Sequence, residues 1–204
     1  MIKVGIMGGT FDPIHIGHLI LAMEAINYKN LDEVWFIPTG NPNFKQDKNV
    51  TDKKKRFEMV KIATQDNDKF KVCDYEINKN NVTYSWETMK YLRENYDHDF
   101  YFIMGEDSLM SVETWENAED FLKNTKILAC IRRQEEMSKL DEKIDELKSK
   151  GYFVEKIPAS FIDISSTKIR EKVQSNQDFR YFVPDQVFEY IVRNKLYESY
   201  RNRK

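Results

Sequence analysis

Between Gly8 and His18 the chain reads Gly-Gly-Thr-Phe-Asp-Pro-Ile-His-Ile-Gly-His. An alternating apolar run, Ile2, Val4 and Ile6, precedes this stretch and reads as a strand. Leu19, Ala22, Met23 and Ile26 follow it at helical spacing. A strand that passes through a glycine-rich turn straight into a helix commits the chain to an α/β unit. Four of the seven glycines, Gly5, Gly8, Gly9 and Gly17, lie in or beside the turn. Without a Cβ, glycine lets backbone N–H groups approach a ligand closely. The positive end of the following helix faces the same place, so the turn is suited to an anion, above all a phosphate.

His15 and His18 stand three apart at the helix start and share a face. Each can donate to a phosphoryl oxygen. Three other uses of these residues stand beside that one. A His pair can bind zinc, but no Cys or further His is close by to complete a site. Both rings can be packed or capping groups. The turn can belong to an ordinary dinucleotide fold, although Gly-x-Gly-x-x-Gly is absent.

Composition narrows the class. The chain has 204 residues, 41% hydrophobic and 32% charged, which suits a globular domain with a sizeable core. The formal net charge of −2 gives no basic field for nucleic acid, and no nucleic-acid partner is expected. Lys53-Lys54-Lys55-Arg56 is read as the solvated first turn of a helix. Cys73 and Cys130 lie in apolar runs and read as buried thiols of a reducing compartment. There is no long apolar leader and no run of membrane-spanning length, so a cytoplasmic location without membrane attachment is expected.

Along the chain, strand-like and helix-like patterns alternate. Strands are expected at Val34–Ile37, Phe70–Tyr75, Asp99–Met104, Ile127–Ile131 and Tyr152–Ile157, besides the first. Helices are expected after Thr51 or Asp52, with Phe57, Val60 and Ala63 inward; from Ser85 to Tyr96; from Ser138 to Lys150, stopped by Gly151; from Ser165 or Ser166; and from Pro184 to about Leu196. The expected fold is therefore α/β: a doubly wound, mainly parallel sheet of about six strands with helices on both faces. Residues 1–204 are read as one domain, with 165–204 a small C-terminal helical part packed on it. In such sheets a ligand sits beyond the carboxyl ends of the strands, where strand order reverses. That rim holds the first turn and the loop at Gly105.

A second block, Ile164-Ser165-Ser166-Thr167-Lys168-Ile169-Arg170, lies near the other end of the chain. Alone it would be a plain helix cap. The first stretch resembles the signature of the nucleotidyltransferase superfamily with the His-x-Gly-His motif, and this block resembles its Ile-Ser-Ser-Thr-x-x-Arg motif. Further features resemble the bacterial nicotinate-nucleotide adenylyltransferases over nearly the whole chain. These are Thr83-Tyr84-Ser85-Trp86-Glu87-Thr88, Gly105-Glu106-Asp107, the approach to Trp115, and Pro184 to Ile191 followed by Leu196-Tyr197.

The resemblance implies a Rossmann-like nucleotidyltransferase fold and a reaction of ATP with nicotinate mononucleotide, giving the dinucleotide and pyrophosphate. It implies catalytic roles for His15, His18 and Arg170, and ATP contacts from Gly8, Gly9, Thr10, Phe11, Gly105, Asp107, Ile164, Ser166 and Thr167. It assigns Asp12, Lys45, Thr83, Trp115 and Arg132 to the mononucleotide, with Trp115 stacked on the pyridine ring and Thr83 beside its carboxylate. Mg²⁺ would be carried on the ATP phosphates, with no metal site built from protein side chains. A homo-oligomer is compatible with all of this. Two positions depart from the family pattern: Phe44 stands where a histidine is usual, and Glu106 where alanine is usual. A phosphopantetheine adenylyltransferase fits less well, since those chains are shorter and lack the Trp115 region and the Pro184 helix. A cytidylyltransferase is disfavoured because its Arg-Thr-Glu-Gly-Ile-Ser-Thr-Thr block has no counterpart. A non-catalytic nucleotide sensor is disfavoured by intact His15, His18 and Arg170.

Overall fold

The computed structural model describes residues 1–41, 50–130, 137–158 and 163–198. Six strands form one sheet: β1 (Ile2–Gly9), β2 (Glu33–Pro38), β3 (Phe70–Val72), β4 (His98–Gly105), β5 (Lys126–Cys130) and β6 (Val154–Ile157). Their spatial order is β3-β2-β1-β4-β5-β6, and every pairing is parallel. Among the described residues eight α-helices connect and flank them: α1 (Ile16–Lys29), α2 (Lys53–Thr64), α3 (Ser85–Asn95), α4 (Glu106–Ser111), α5 (Ala118–Asn124), α6 (Met137–Ser149), α7 (Ser166–Gln174) and α8 (Asp185–Arg193).

The period of two in the strands sorts side chains between two layers. Val4 and Ile6 of β1, Phe100, Phe102 and Met104 of β4, and Ile127 and Ala129 of β5 pack with Met89 and Leu92 of α3, Phe121 of α5 and Leu140, Ile144 and Leu147 of α6. Met7, Tyr101, Ile103 and Leu128 point the other way, onto Ala22 and Ile26 of α1, Met59 and Val60 of α2, Ile169 of α7 and Val187 and Ile191 of α8. This is the doubly wound arrangement the alternation predicts. Strand order reverses between β1 and β4, which places the crevice at the ends of those two strands, over Gly9 and Gly105.

Several boundaries differ from the expected ones. Pairing of β3 ends at Val72, not Tyr75, because after Cys73 donates its N–H to Phe36 O at 2.9 Å the chain leaves the sheet. β6 starts at Val154 rather than Tyr152, and β5 starts at Lys126 and runs to Cys130, the expected Ile131 lying outside the described residues. The cap of α3 is Tyr84, with Ser85 its first helical residue; the Glu87 carboxylate accepts the Tyr84 N–H at 3.1 Å. Asp52 caps α2 and Ser165 caps α7. Gly151, at φ +85°, ends α6 in the left-handed region. α8 stops at Arg193, short of Leu196.

The largest correction concerns α2. Its buried residues are Arg56, Met59, Val60 and Thr64, while Phe57 and Ala63 are only half-buried. Arg56, expected in a solvated turn, is 1% exposed. Cys73 is half-buried rather than buried, Cys130 is buried, and the two form no disulfide.

Candidate active site

The turn between β1 and α1 is packed by its own aromatic rings. Gly8, Gly9 and Thr10 line a cavity of about 350 Å³. Phe11 adopts a left-handed φ of +48°, a conformation costly for a residue with a Cβ. Its ring is buried and meets the His18 ring edge-on, with centroids 5.0 Å apart. On its other side His18 stacks against His15, at 3.7 Å and 27°. His15 is the N-cap of α1, and its N–H donates to His18 Nδ1 at 3.2 Å. An Nδ1 that accepts a hydrogen bond puts the proton of the neutral ring on Nε2. His18 lines the cavity, whereas His15 is 2% exposed and lies behind it as a supporting ring.

The second motif meets the first. Ser166 Oγ donates to Pro13 O at 2.8 Å. Arg170 Nη1 donates to Asp12 O at 2.8 Å, and Nη2 to Thr167 Oγ1 at 3.3 Å. Ile164 stands over Gly17, where an added methyl would lie 3.8 Å from its Cβ. The amino ends of α1 and α7 thus come together on one rim, with Thr167 exposed there.

The other end of the cavity is walled by Thr83, Tyr84, Ser85 and Thr88 at the start of α3, by Glu76, and by Trp115. Trp115 packs on Phe102 and Phe121, at 6.4 and 5.5 Å between ring centroids. Gly105 lines the cavity; Asp107 is exposed in the first turn of α4 nearby. Asp12 does not line it. Its buried carboxylate accepts the Tyr197 hydroxyl at 2.7 Å and the Thr51 N–H at 3.1 Å. Lys45, Phe44 and Arg132 lie outside the described residues.

A sequence model of the cytidylyltransferase-like family matches residues 6–172. The "Probable nicotinate-nucleotide adenylyltransferase" of Clostridium botulinum strain Eklund 17B is 40% identical over 202 residues, spanning 98% of this chain and all of the relative. That of Clostridium novyi is likewise 40% identical, over 97% of this chain and all of its own length. This chain belongs to the nicotinate-nucleotide adenylyltransferase family. Among solved structures, the Plasmodium falciparum nicotinic acid mononucleotide adenylyltransferase complexed with NaAD superposes with a TM-score of 0.79, at 22% identity, over 97% of this chain and 98% of the other. That likeness places the fold among the Rossmann-like nucleotidyltransferases.

Four residues that shape the site of this adenylyltransferase do not stand out in its sequence. The Arg56 guanidinium donates to Thr10 O at 2.7 Å, Thr51 O at 2.9 Å and Gly40 O at 3.0 Å. It therefore ties the turn after β1, the loop after β2 and the start of α2. Burial pulls its pKa down, while Asp12 and Tyr197 pull it up. Glu76 is 7% exposed and accepts the hydroxyls of Thr83 and Thr88. Gly40 must be glycine here, since a Cβ would come within 2.1 Å of Glu76 O. Tyr197 reaches Asp12 from beyond α8, at φ +66°. The spacing of Arg56 to Met59 and Val60 is the one hint that it faces inward.

Proposed function

We propose that this chain joins ATP to nicotinate mononucleotide, giving nicotinate adenine dinucleotide and pyrophosphate, a step of NAD synthesis. The observation that supports this reading best is the meeting of the two motifs: Ser166 and Arg170 hydrogen-bond directly to the backbone of the turn that carries His18. A mononucleotide phosphate oxygen attacks the α-phosphorus of ATP in line. A P–O bond forms there, the bond to the bridging oxygen breaks, and pyrophosphate leaves. Such a transfer needs positioning and a matched field rather than a protein nucleophile.

The amides of Gly8, Gly9, Thr10 and Phe11 and the positive end of α1 face the α-phosphate. His18 Nε2 donates to its oxygens, with His15 holding the ring. Ile164, Ser166, Thr167 and Arg170 hold the outer phosphates at the tip of α7; the Arg170 fork keeps N–H donors beyond the two it gives to Asp12 and Thr167. Gly105 and Asp107 take the adenosine side. Trp115 stacks on the pyridine ring, Thr83 stands at its carboxylate, and Lys45 and Arg132 supply further positive charge. Asp12 acts through the turn it braces.

Among the described residues no three His, Cys, Asp or Glu side chains gather as a metal cage. Mg²⁺ is proposed to arrive on the ATP phosphates, where it neutralises charge. Among the described residues no helix is long and apolar enough to cross a membrane; a cytoplasmic location is part of the proposal. So is treating residues 1–204 as one catalytic domain.

The test is to incubate the protein with ATP, Mg²⁺ and each pyridine mononucleotide, following pyrophosphate and the mass of the product. Nicotinate adenine dinucleotide with stoichiometric pyrophosphate is expected. ATP binding without pyrophosphate release from either mononucleotide would make the protein a sensor. Turnover with phosphopantetheine instead would move it to another branch of the superfamily.

A further inference from the structure

Glu76 is a buried carboxyl in the wall of the cavity, in the segment between β3 and α3. It accepts the Thr83 hydroxyl at 2.8 Å and the Thr88 hydroxyl at 2.7 Å. A hydroxyl has one proton to give. Both threonine hydroxyls have given theirs to Glu76, so each hydroxyl meets anything else with lone pairs only. The hydroxyl part of that wall therefore offers an anion no donor, although it is where the proposed function puts a pyridine carboxylate. One proton reverses its polarity. Protonated on Oε2, Glu76 becomes the donor to Thr83 Oγ1, and the Thr83 proton turns toward the cavity.

We propose that Glu76 is the proton-coupled selector of the ring substituent: binding of nicotinate mononucleotide draws one proton from solvent onto Glu76, and the Thr83 hydroxyl then donates to the ring carboxylate. No bond between heavy atoms changes. The inference rests on the reading that this cavity takes a pyridine mononucleotide. The neutral carboxamide of nicotinamide mononucleotide draws no such proton.

The surroundings make Glu76 easier to protonate than an ordinary carboxyl. Burial pushes the Glu76 carboxyl up; the Thr88 and Thr83 hydroxyls, the Gly40 N–H and Lys79 pull it down. Arg56 of α2 is a second cation in range, and the Cys73 thiol also senses its charge. His18, Tyr84 and Glu116 are the other titratable groups on the cavity wall. A second carboxylate entering this site disfavours the charged form of the first. The sign follows: nicotinate mononucleotide binds more weakly as pH rises, by up to about tenfold per pH unit.

The experiment is calorimetric titration of the protein with nicotinate mononucleotide, near neutral pH, in buffers of different ionisation enthalpy, which counts protons bound. Wild type is expected to take up about one proton more than Glu76→Gln. In that variant the side-chain amide N–H would hold the Thr83 hydroxyl outward at every pH. Its KM for nicotinate mononucleotide should therefore lose the pH dependence seen in wild type, while KM for ATP keeps its own. Equal proton counts in the two proteins would overturn the proposal. If Glu76→Gln does not fold, infrared difference spectra of wild type decide: a new carboxylic-acid carbonyl band on binding is expected, and its absence overturns the proposal. Turnover with ATP but no proton uptake would sink this inference alone. No binding and no turnover would sink the reading beneath it.

Discussion

His18 is held on three sides before substrate arrives: by the Phe11 edge, by the His15 ring and by the His15 N–H on Nδ1. A donor fixed in this way costs no reorganisation at the moment of reaction. His18→Ala should lower kcat by about 10²–10³-fold, the size expected for losing one preorganised donor. Steady-state pyrophosphate release measures it, and near-normal turnover would take His18 out of the mechanism. Trp115 is packed on one side by Phe102 and Phe121 and lines the cavity on the other. Trp115→Ala should raise KM for the mononucleotide far more than KM for ATP; equal rises would mean that the ring only packs. That both residues line the cavity was legible in the sequence, His18 through its local motif and Trp115 through the family resemblance. Glu76 was not, because its meaning depends on Thr83 and Thr88 folding back over it, a contact that no spacing rule encodes.

At the scale of elements, the tips of α1 and α7 meet, and Arg56 fastens the loops beneath them. Replacing Arg56 by Met would leave the Thr10, Gly40 and Thr51 carbonyls without their donor. At roughly 1–3 kcal/mol for each buried acceptor left unsatisfied, a loss of about 3 kcal/mol or more is expected. Denaturant unfolding checks this, and a loss below about 1 kcal/mol, the range of an ordinary surface change, would contradict the clamp. The parallel sheet and its two layers were readable because strand-like and helix-like patterns alternate along the chain, and because β5 is a short continuous apolar run, as a strand buried on both faces is; the order of the strands was not. Arg56 was misread because it ends a lysine run, and two of its three partners lie 46 and 16 residues away. The end of β3 was misread because Cys73, Asp74 and Tyr75 continue a strand-like pattern while the chain turns off to bring Glu76 to the cavity.

The whole molecule is closed by its C-terminal segment. Tyr197, beyond α8, donates to Asp12, whose carbonyl accepts from Arg170. Tyr197→Phe should cost about 1.5–3 kcal/mol of stability, the range for a hydrogen bond to a charged group, and should raise KM for ATP. Unchanged ATP kinetics would confine Tyr197 to stability. Stability should also fall in strong base. Burial, then the nearby Asp99, push the Tyr101 hydroxyl up to about 12. The folded state thus holds that proton after the unfolded chain, near 10, has lost it. Its contribution is intact below about pH 10 and is lost as pH rises toward 12, so Tm should drop across that window and drop less in Tyr101→Phe.

Inversion or retention at the α-phosphorus tests the central claim most directly. With ATP carrying a chiral α-thiophosphate and nicotinate mononucleotide as acceptor, the thio-dinucleotide should form with inverted configuration, as a single in-line displacement requires. Retention, which demands a covalent nucleotidyl-enzyme, or the absence of dinucleotide, would contradict the account.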